Sequence, residues 1–457
     1  SNNIGTAANW STSASSYAAA AAAAGSADDT TYSMNSLNAL TNGTTVTLGG
    51  NNQAALGITI KTAGPITFVR ASSTSTSNAT FRIGANGITV QSGAGDVTFA
   101  ITDQIVNVRN TASMSITNNA SSTLTFNQTF RPDGSAPTNT TLTLAGNGGG
   151  VIAMSTITDG TATGGQPLAV TINAGTSTSV RTLGSYSFTG GATLSQGVLQ
   201  LKNSSPLSFG SQAVSVNGGQ IAAYIQNGGG LSNGLNIGGD FSVAGLGYAT
   251  VLSGTINLGG ATRTVTVLNG GGTFSGVISN GGLIINGGQP LWLSGANTYS
   301  AGTTVSTGTL TANNSSAFGS GSVSVASGAT LDLNSLSIAN AITNNGGKIL
   351  NAASYAGTQS LLATSTFSSL GGTLNVGNGG KAKLTGSIAA TVATLAGGTA
   401  ELTSAGSLSQ SSFANAGKVI FNDTTDTTLG TQFSGAGSFD KQGAGSILTV
   451  TGSSYFG

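Results

Sequence analysis

Residues Leu293–Leu310, LSGANTYSAGTTVSTGTL, contain no acid, no base, no histidine and no cysteine. Eighteen residues without a reactive group read as architecture. The same phrasing recurs elsewhere. Phe188–Val216, FTGGATLSQGVLQLKNSSPLSFGSQAVSV, aligns with Tyr299–Val325, YSAGTTVSTGTLTANNSSAFGSGSVSV, after a two-residue insertion near Leu207. Aromatic matches aromatic, and Asn-Ser-Ser matches Asn-Ser-Ser. Phe433–Gly457 echoes Phe274–Gly302 in the same way. Repeated units that cannot bury their own apolar faces stack into a quasi-one-dimensional body.

From Thr44 onward a shorter pattern recurs: apolar residues two apart, then a turn of Gly, Asn or Ser. Val46 and Leu48, Ile58 and Ile60, Ile88 and Val90, Val97 and Phe99, Val106 and Val108, Met114 and Ile116, and Leu124 and Phe126 follow it. So do Leu199 and Leu201, Val214 and Val216, Val323 and Val325, Leu331 and Leu333, and Leu448 and Val450. Period two marks strands with one buried face. The spacing suits a β-sandwich as well as a β-solenoid, and the longer repeats favour the solenoid.

Composition agrees. Charged residues form 5% of the 457, against roughly 25% in ordinary soluble domains. Stacked coils set equivalent side chains about 4.8 Å apart, so a charge repeated on successive coils repels its own copy, whereas Thr, Ser and Asn can hydrogen-bond along the ladder. The 72 glycines and the many Asn supply corners that need positive φ. With roughly 20 to 25 residues per coil, the expected body is a rod about 90 to 110 Å long.

At Leu293–Leu310 the sequence resembles the autotransporter passenger-associated β-strand repeat of Gram-negative bacterial surface proteins, whose phrase reads approximately GxLTLSGANTYTGGTTVxxGTL. Gly445–Gly457 matches its first half, and Ala8–Tyr17 and Ser36–Gly50 resemble the amino-terminal part of such proteins. The resemblance implies an all-β fold: a single elongated right-handed parallel β-helix, exported and displayed at the bacterial cell surface. Residues 1–40 are expected to form an N-terminal cap or docking element, irregular or with a short helix at Ala18–Ala24. Residues 41–457 form the solenoid, clearest at 186–325 and 433–457. A start at Ser1 fits an export product whose signal peptide has been removed. The phrase breaks off at Gly457, so the polypeptide is expected to continue, and no membrane β-barrel pattern is present within it.

The sequence offers little for chemistry. Without His or Cys, thiol catalysis, thiolate metal sites and a His-based triad are ruled out. Gly347-Lys348, Gly380-Lys381 and Gly417-Lys418 lack the spacing of a phosphate-binding loop and read as solvated turns. The acidic candidates are Asp28 with Asp29, read as capping or following Ala18–Ala24, Asp96 with Asp103, and Asp423 with Asp426 near Lys418, read as a turn; acids spread over the whole chain argue against a purpose-built cluster. Trp10, Trp292, Tyr299 and Tyr455 could stack a glycan, but the match of Tyr299 to Phe188 argues for packing. Triplets such as Asn78-Ala79-Thr80 are expected by chance in this composition. No catalytic, cofactor or metal residue is therefore predicted, and no cofactor.

The net charge is +1, with the lysines and arginines scattered singly from Lys61 to Lys441. No basic stripe for nucleic acid is present, and no apolar run long enough to span a bilayer. The leading expectation is a non-enzymatic structural protein whose coils self-associate head to tail or laterally into a surface fibre, layer or stalk. Its warrant is that a solenoid end exposes unpaired backbone groups and no charged cap follows Thr451. The alternative is a monomeric adhesin passenger binding a host ligand or surface glycan, through a patch that interrupts the repeat near Arg131–Gly150. A remoter one is a polysaccharide lyase or hydrolase with Asp and Lys or Arg converging from different coils.

Overall fold

A computed structural model describes residues 2–3, 31–34, 44–48, 53–61, 63–70, 80–100, 107–134, 136–160, 166–203, 206–224, 229–245, 247–352, 356–361, 364–377, 379–403, 407–408, 410 and 412–451. The chain divides into two compact units, Ser1–Gly254 and Thr255–Gly457. In each, strands lie beside the strands of the next coil and run parallel, as a solenoid requires and a β-sandwich of antiparallel sheets does not.

In the first unit, one face is built from Thr123–Pro132, Val151–Ile157, Ser179–Thr182, Val198–Leu201 and Gln220–Ala223, each paired in parallel with the next. A second face runs through Met114–Asn118, Thr140–Gly146, Leu168–Ala174, Ala192–Gln196, Val214–Val216 and Leu235–Ile237. In the second unit, Gly282–Gly287, Thr303–Val305, Val323–Ala326, Ile342–Asn345, Thr358–Leu361, Thr373–Val376 and Thr391–Thr394 stack likewise. Beside them stack Pro290–Leu293, Thr309–Ala312, Thr330–Asp332 and Lys348–Leu350.

The register measures each coil directly. Thr123 lies beside Val151 and Val151 beside Ser179, steps of 28 residues. Later steps are shorter: Leu283 to Thr303 is 20 residues, and Thr373 to Thr391 is 18. The roughly 20 to 25 residues per coil expected from the sequence are thus exceeded between Thr123 and Ser179, and the coils then shorten within the first unit itself, Ser179 to Val198 being 19 residues. Strands Asn2–Asn3 and Thr31–Met34 pair in parallel with Thr44–Leu48 and Gln53–Ile60. Ala18–Ala24, read as a short helix, lies outside the described residues, as does Val106. Among the described residues no helix is long and apolar enough to cross a membrane.

Inward residues of successive coils form columns. Ile172, Leu194, Val216 and Ile237 align in register and are all buried, as are Leu291, Leu310, Leu331 and Ile349. Each such side chain contributes about 1.5 to 3 kcal/mol of burial. Phe68, Phe99 and Phe126 make an aromatic column, with ring centroids 4.4 and 4.8 Å apart and planes within 5°. The coil spacing brings such rings into contact, and flat stacking is one geometry it allows, since Phe413 and Phe433, also paired in register, tilt by 37° at 5.4 Å.

Polar corners close the coils. Asn118 is fully buried, and its Nδ2 donates to the carbonyls of Ser122 at 2.8 Å and Val151 at 3.1 Å, while its Oδ1 accepts from Ala120 N at 3.1 Å. Asn344 and Asn233 repeat the device, each binding backbone through both ends of the amide. Outside, Ser294, Asn313 and Asn334 link three coils side chain to side chain at 3.2 Å per step. These are the ladder hydrogen bonds expected of a charge-poor solenoid. Where coils approach most closely a side chain is excluded: at Gly87 (φ 63°) a Cβ would lie 1.9 Å from the carbonyl oxygen of Ser115.

Phe99→Ala should therefore open a void between two stacked rings and cost about 3 to 5 kcal/mol, with Phe99→Leu costing less than half as much. Urea unfolding followed by tryptophan fluorescence and circular dichroism measures the difference. Equal midpoints for wild type and Phe99→Ala would contradict the column.

Candidate functional site

Among the described residues the acidic candidates do not assemble into a site. Asp96 Oδ1 accepts from Thr123 N at 2.7 Å, tying one coil to the next. Its supposed companion Asp103, like Asp28, Asp29, Trp10 and Tyr455, lies outside the described residues. Asp423 is buried and accepts a short hydrogen bond from the Thr427 hydroxyl, and its backbone oxygen accepts from Lys441 Nζ at 3.2 Å. Asp426 Oδ1 accepts from Ile447 N at 2.8 Å. Both act as fasteners for the turn between Lys418–Asn422 and Thr427–Leu429. Among the described residues no group of three or more His, Cys, Asp or Glu could hold a metal ion.

Tyr299, weighed as a glycan platform, is an interior residue. It is fully buried, and its hydroxyl shares a hydrogen bond of 2.6 Å with Thr303 Oγ1. Burial pushes its phenol well above the usual tyrosine value, with the Thr303 bond acting the other way. Phe188, its counterpart in the repeat, is equally buried. Trp292 is half-buried on the outward side of Pro290–Leu293.

The Gly-Lys pairs are corrected. Lys348, Lys381 and Lys418 do not sit in solvated turns; each is the first residue of a strand. Two of them are paired by carboxylates from neighbouring coils. Lys381 Nζ lies 2.7 Å from Glu401 Oε2, with Lys383 Nζ 4.0 Å from the other oxygen, and Lys418 Nζ lies 3.0 Å from Asp440 Oδ2. Asn422 Nδ2 adds a third donor to Glu401 at 3.0 Å. The Lys381 hydrogen bond, then that from Asn422, holds the Glu401 carboxyl below the usual carboxylate range against the opposing effect of burial.

The larger correction concerns charge in register. Arg82 lies beside Arg109 in the pairing of Thr80–Val90 with Asn107–Asn110, and Arg109 lies beside Arg131 in the pairing with Thr123–Pro132. Three arginines therefore occupy one position on three successive coils, where singly scattered charges were expected. Each alternates with buried neighbours: Phe81 and Ile83, Val108 and Asn110, Phe130 and Pro132. The arginines thus face outward. Asp133, buried, accepts from Arg82 Nε at 2.8 Å and Arg109 Nη1 at 3.4 Å. Burial first, and Arg109 second, push the Arg131 guanidinium below the usual arginine value, with Asp133 opposing.

One carboxylate for three guanidinium groups leaves two positive charges uncompensated within this group. Repulsion between neighbours a coil apart is of order 1 to 4 kcal/mol between the limits of bulk water and a protein surface. The sequence carried a signal for the ladder: Phe-Arg-Ile at 81–83, Val-Arg-Asn at 108–110 and Phe-Arg-Pro at 130–132 each set an arginine within a period-two strand. It becomes legible once coil length is known to vary.

Glu401→Gln should cost about 1 kcal/mol at neutral pH, because Lys381 is well exposed and its pairing is screened. A carboxyl depressed in the folded state stabilises fully above its unfolded value and loses that contribution as pH falls through the folded one. The gap between wild type and variant in urea midpoint should therefore narrow at about pH 3 relative to pH 7. A gap independent of pH would contradict it.

The chain is 31% identical over 261 residues, 51% of its length, to the Adhesin BmaC autotransporter of Brucella suis biovar 1 (strain 1330). The match covers 8% of that protein's length. No family model and no solved structure matches the chain. The parallel β-solenoid and this similarity together fit the passenger repeat of an autotransporter, which the phrase at Leu293–Leu310 resembles.

Proposed function

We propose that the chain is part of the β-solenoid passenger of an exported bacterial surface adhesin, without enzymatic activity, which carries binding groups on the outward positions of its coils. The observation that carries this reading is the 31% identity to an autotransporter adhesin over 51% of the chain. The architecture supports it: interior columns and buried Asn corners use up the inward positions, so variation without loss of fold is confined to outward ones. The same similarity favours adhesion over the self-associating fibre, layer or stalk that composition suggested. It also favours a binding protein over a lyase.

Displayed on a non-adherent Gram-negative host, the chain should raise attachment to epithelial monolayers or matrix-coated surfaces several-fold over an unrelated β-solenoid passenger of similar length. Attachment no better than that control would reject the reading. Concentration-dependent sedimentation of the purified chain into large species, without attachment, would restore the fibre.

A further inference from the structure

The arginine ladder has the geometry of a site rather than of a stabilising pair. Asp133 engages Arg82 and Arg109, while Arg131 makes no ion pair among the described residues. The Nε atoms of Arg109 and Arg131 are shielded from solvent and have no hydrogen-bond partner there. A shielded donor with nothing to bind is costly, so the inner edges of these guanidinium groups gain nothing from the fold that would explain their presence, and any ligand must meet their outer edges. The side chains are nevertheless within reach from outside: those of Arg82 and Arg109 keep 31% and 17% of their surface exposed.

The boundaries of the ladder set the size of what fits. Ala54 lies beside Arg82 on the preceding coil, and Thr158, whose N–H binds the Phe130 carbonyl, follows Arg131 on the next. Three positions at the coil spacing span about 10 Å, the reach of one or two oxyanion groups on adjacent sugars. It is too short for the long basic track and stacking aromatics that a nucleic acid requires. Guanidinium groups are weakly hydrated and present planar pairs of donors, which match an oxyanion edge.

We propose that Arg82, Arg109 and Arg131 bind the sulfate esters of an acidic polysaccharide, with Arg131 and the outer edge of Arg109 holding the anion while Asp133 fixes Arg82 and Arg109 in place. The choice of a polysaccharide rests on the adhesin reading, whereas the oxyanion site does not. The net charge of +1 makes the site testable, since bulk attraction to a polyanion is small.

Heparin is the probe, with inorganic sulfate as the free-ion arm at matched ionic strength. The full chain should be retained on immobilised heparin at about 0.15 M salt, and its thermal midpoint should rise with sulfate. Arg131→Gln should weaken heparin binding at least ten-fold, and Arg109→Gln with Arg131→Gln should abolish retention. Lys202→Gln and Lys348→Gln remove the same charge elsewhere and should bind as wild type. Circular dichroism checks folding; should Arg131→Gln unfold, Arg131→Lys keeps the charge, loses the planar fork and should still weaken binding several-fold.

The proposal is overturned by a wild-type chain that passes through the column, by Arg131→Gln or Arg131→Lys binding as wild type, or by an equal loss in Lys202→Gln. Duplex DNA competing as well as heparin, or sulfate binding without heparin retention, would overturn the assignment to a polysaccharide. Adhesion that survives without heparin binding removes this site and leaves the adhesin reading intact. Heparin binding in a chain that does not adhere keeps the site and rejects that reading.

Discussion

In-register stacking brings each side chain to within about 4.8 Å of its counterpart on the next coil, so every position must tolerate a neighbour of its own environment. For apolar residues this is an advantage, and columns such as Ile172, Leu194, Val216 and Ile237 follow. For aromatics it brings rings into contact, stacked flat at Phe68, Phe99 and Phe126 and tilted at Phe413 and Phe433. For amides it allows one side chain to serve two coils, as Asn118 does in reaching the carbonyls of both Ser122 and Val151. For charges it is a penalty, and the 5% charged content is the global consequence.

The charges that remain show two ways of living with the constraint. Around Glu401 the signs alternate between coils, so stacking turns repulsion into attraction, and Asp440 does the same for Lys418. At Arg82, Arg109 and Arg131 the sign repeats, and a single buried Asp133 neutralises one charge of three. The first arrangement needs nothing from outside the chain. The second is complete as a structure but unbalanced as a charge distribution, and the imbalance faces outward.

The fold was largely legible in the sequence because period two and the long repeats report directly on stacking. Pairs such as Leu124 and Phe126, or Val323 and Val325, alternate inward as read. Leu448 and Val450 form a strand as read, yet both are only half-buried. Coil length was not legible, since alternation specifies which face a residue takes and says nothing of how far the chain travels before it returns. That gap hid the arginine ladder: separations of 27 residues from Arg82 to Arg109 and 22 from Arg109 to Arg131 do not look like a repeat until the pairing supplies them. The lysines were misplaced for a related reason. A Gly-Lys pair resembles a turn, and only the neighbouring coil reveals that the lysine opens a strand and meets a carboxylate.

Function in such a chain has to be sought where the stacking rule is strained. A position that obeys the rule is explained by it, whether Leu310 in its column or Asn344 at its corner, and gives no separate evidence of a ligand. Arg131 is different, because nothing in the packing asks for a third guanidinium beside Arg109 and much in the electrostatics opposes it. Its backbone neighbours Phe130 and Pro132 supply the burial, so Thr or Ser on the outward side would complete the coil at lower cost. The arginine that stands there instead is destabilising by the logic that makes the rest of the chain nearly uncharged. An incoming anion would convert that repulsion into attraction.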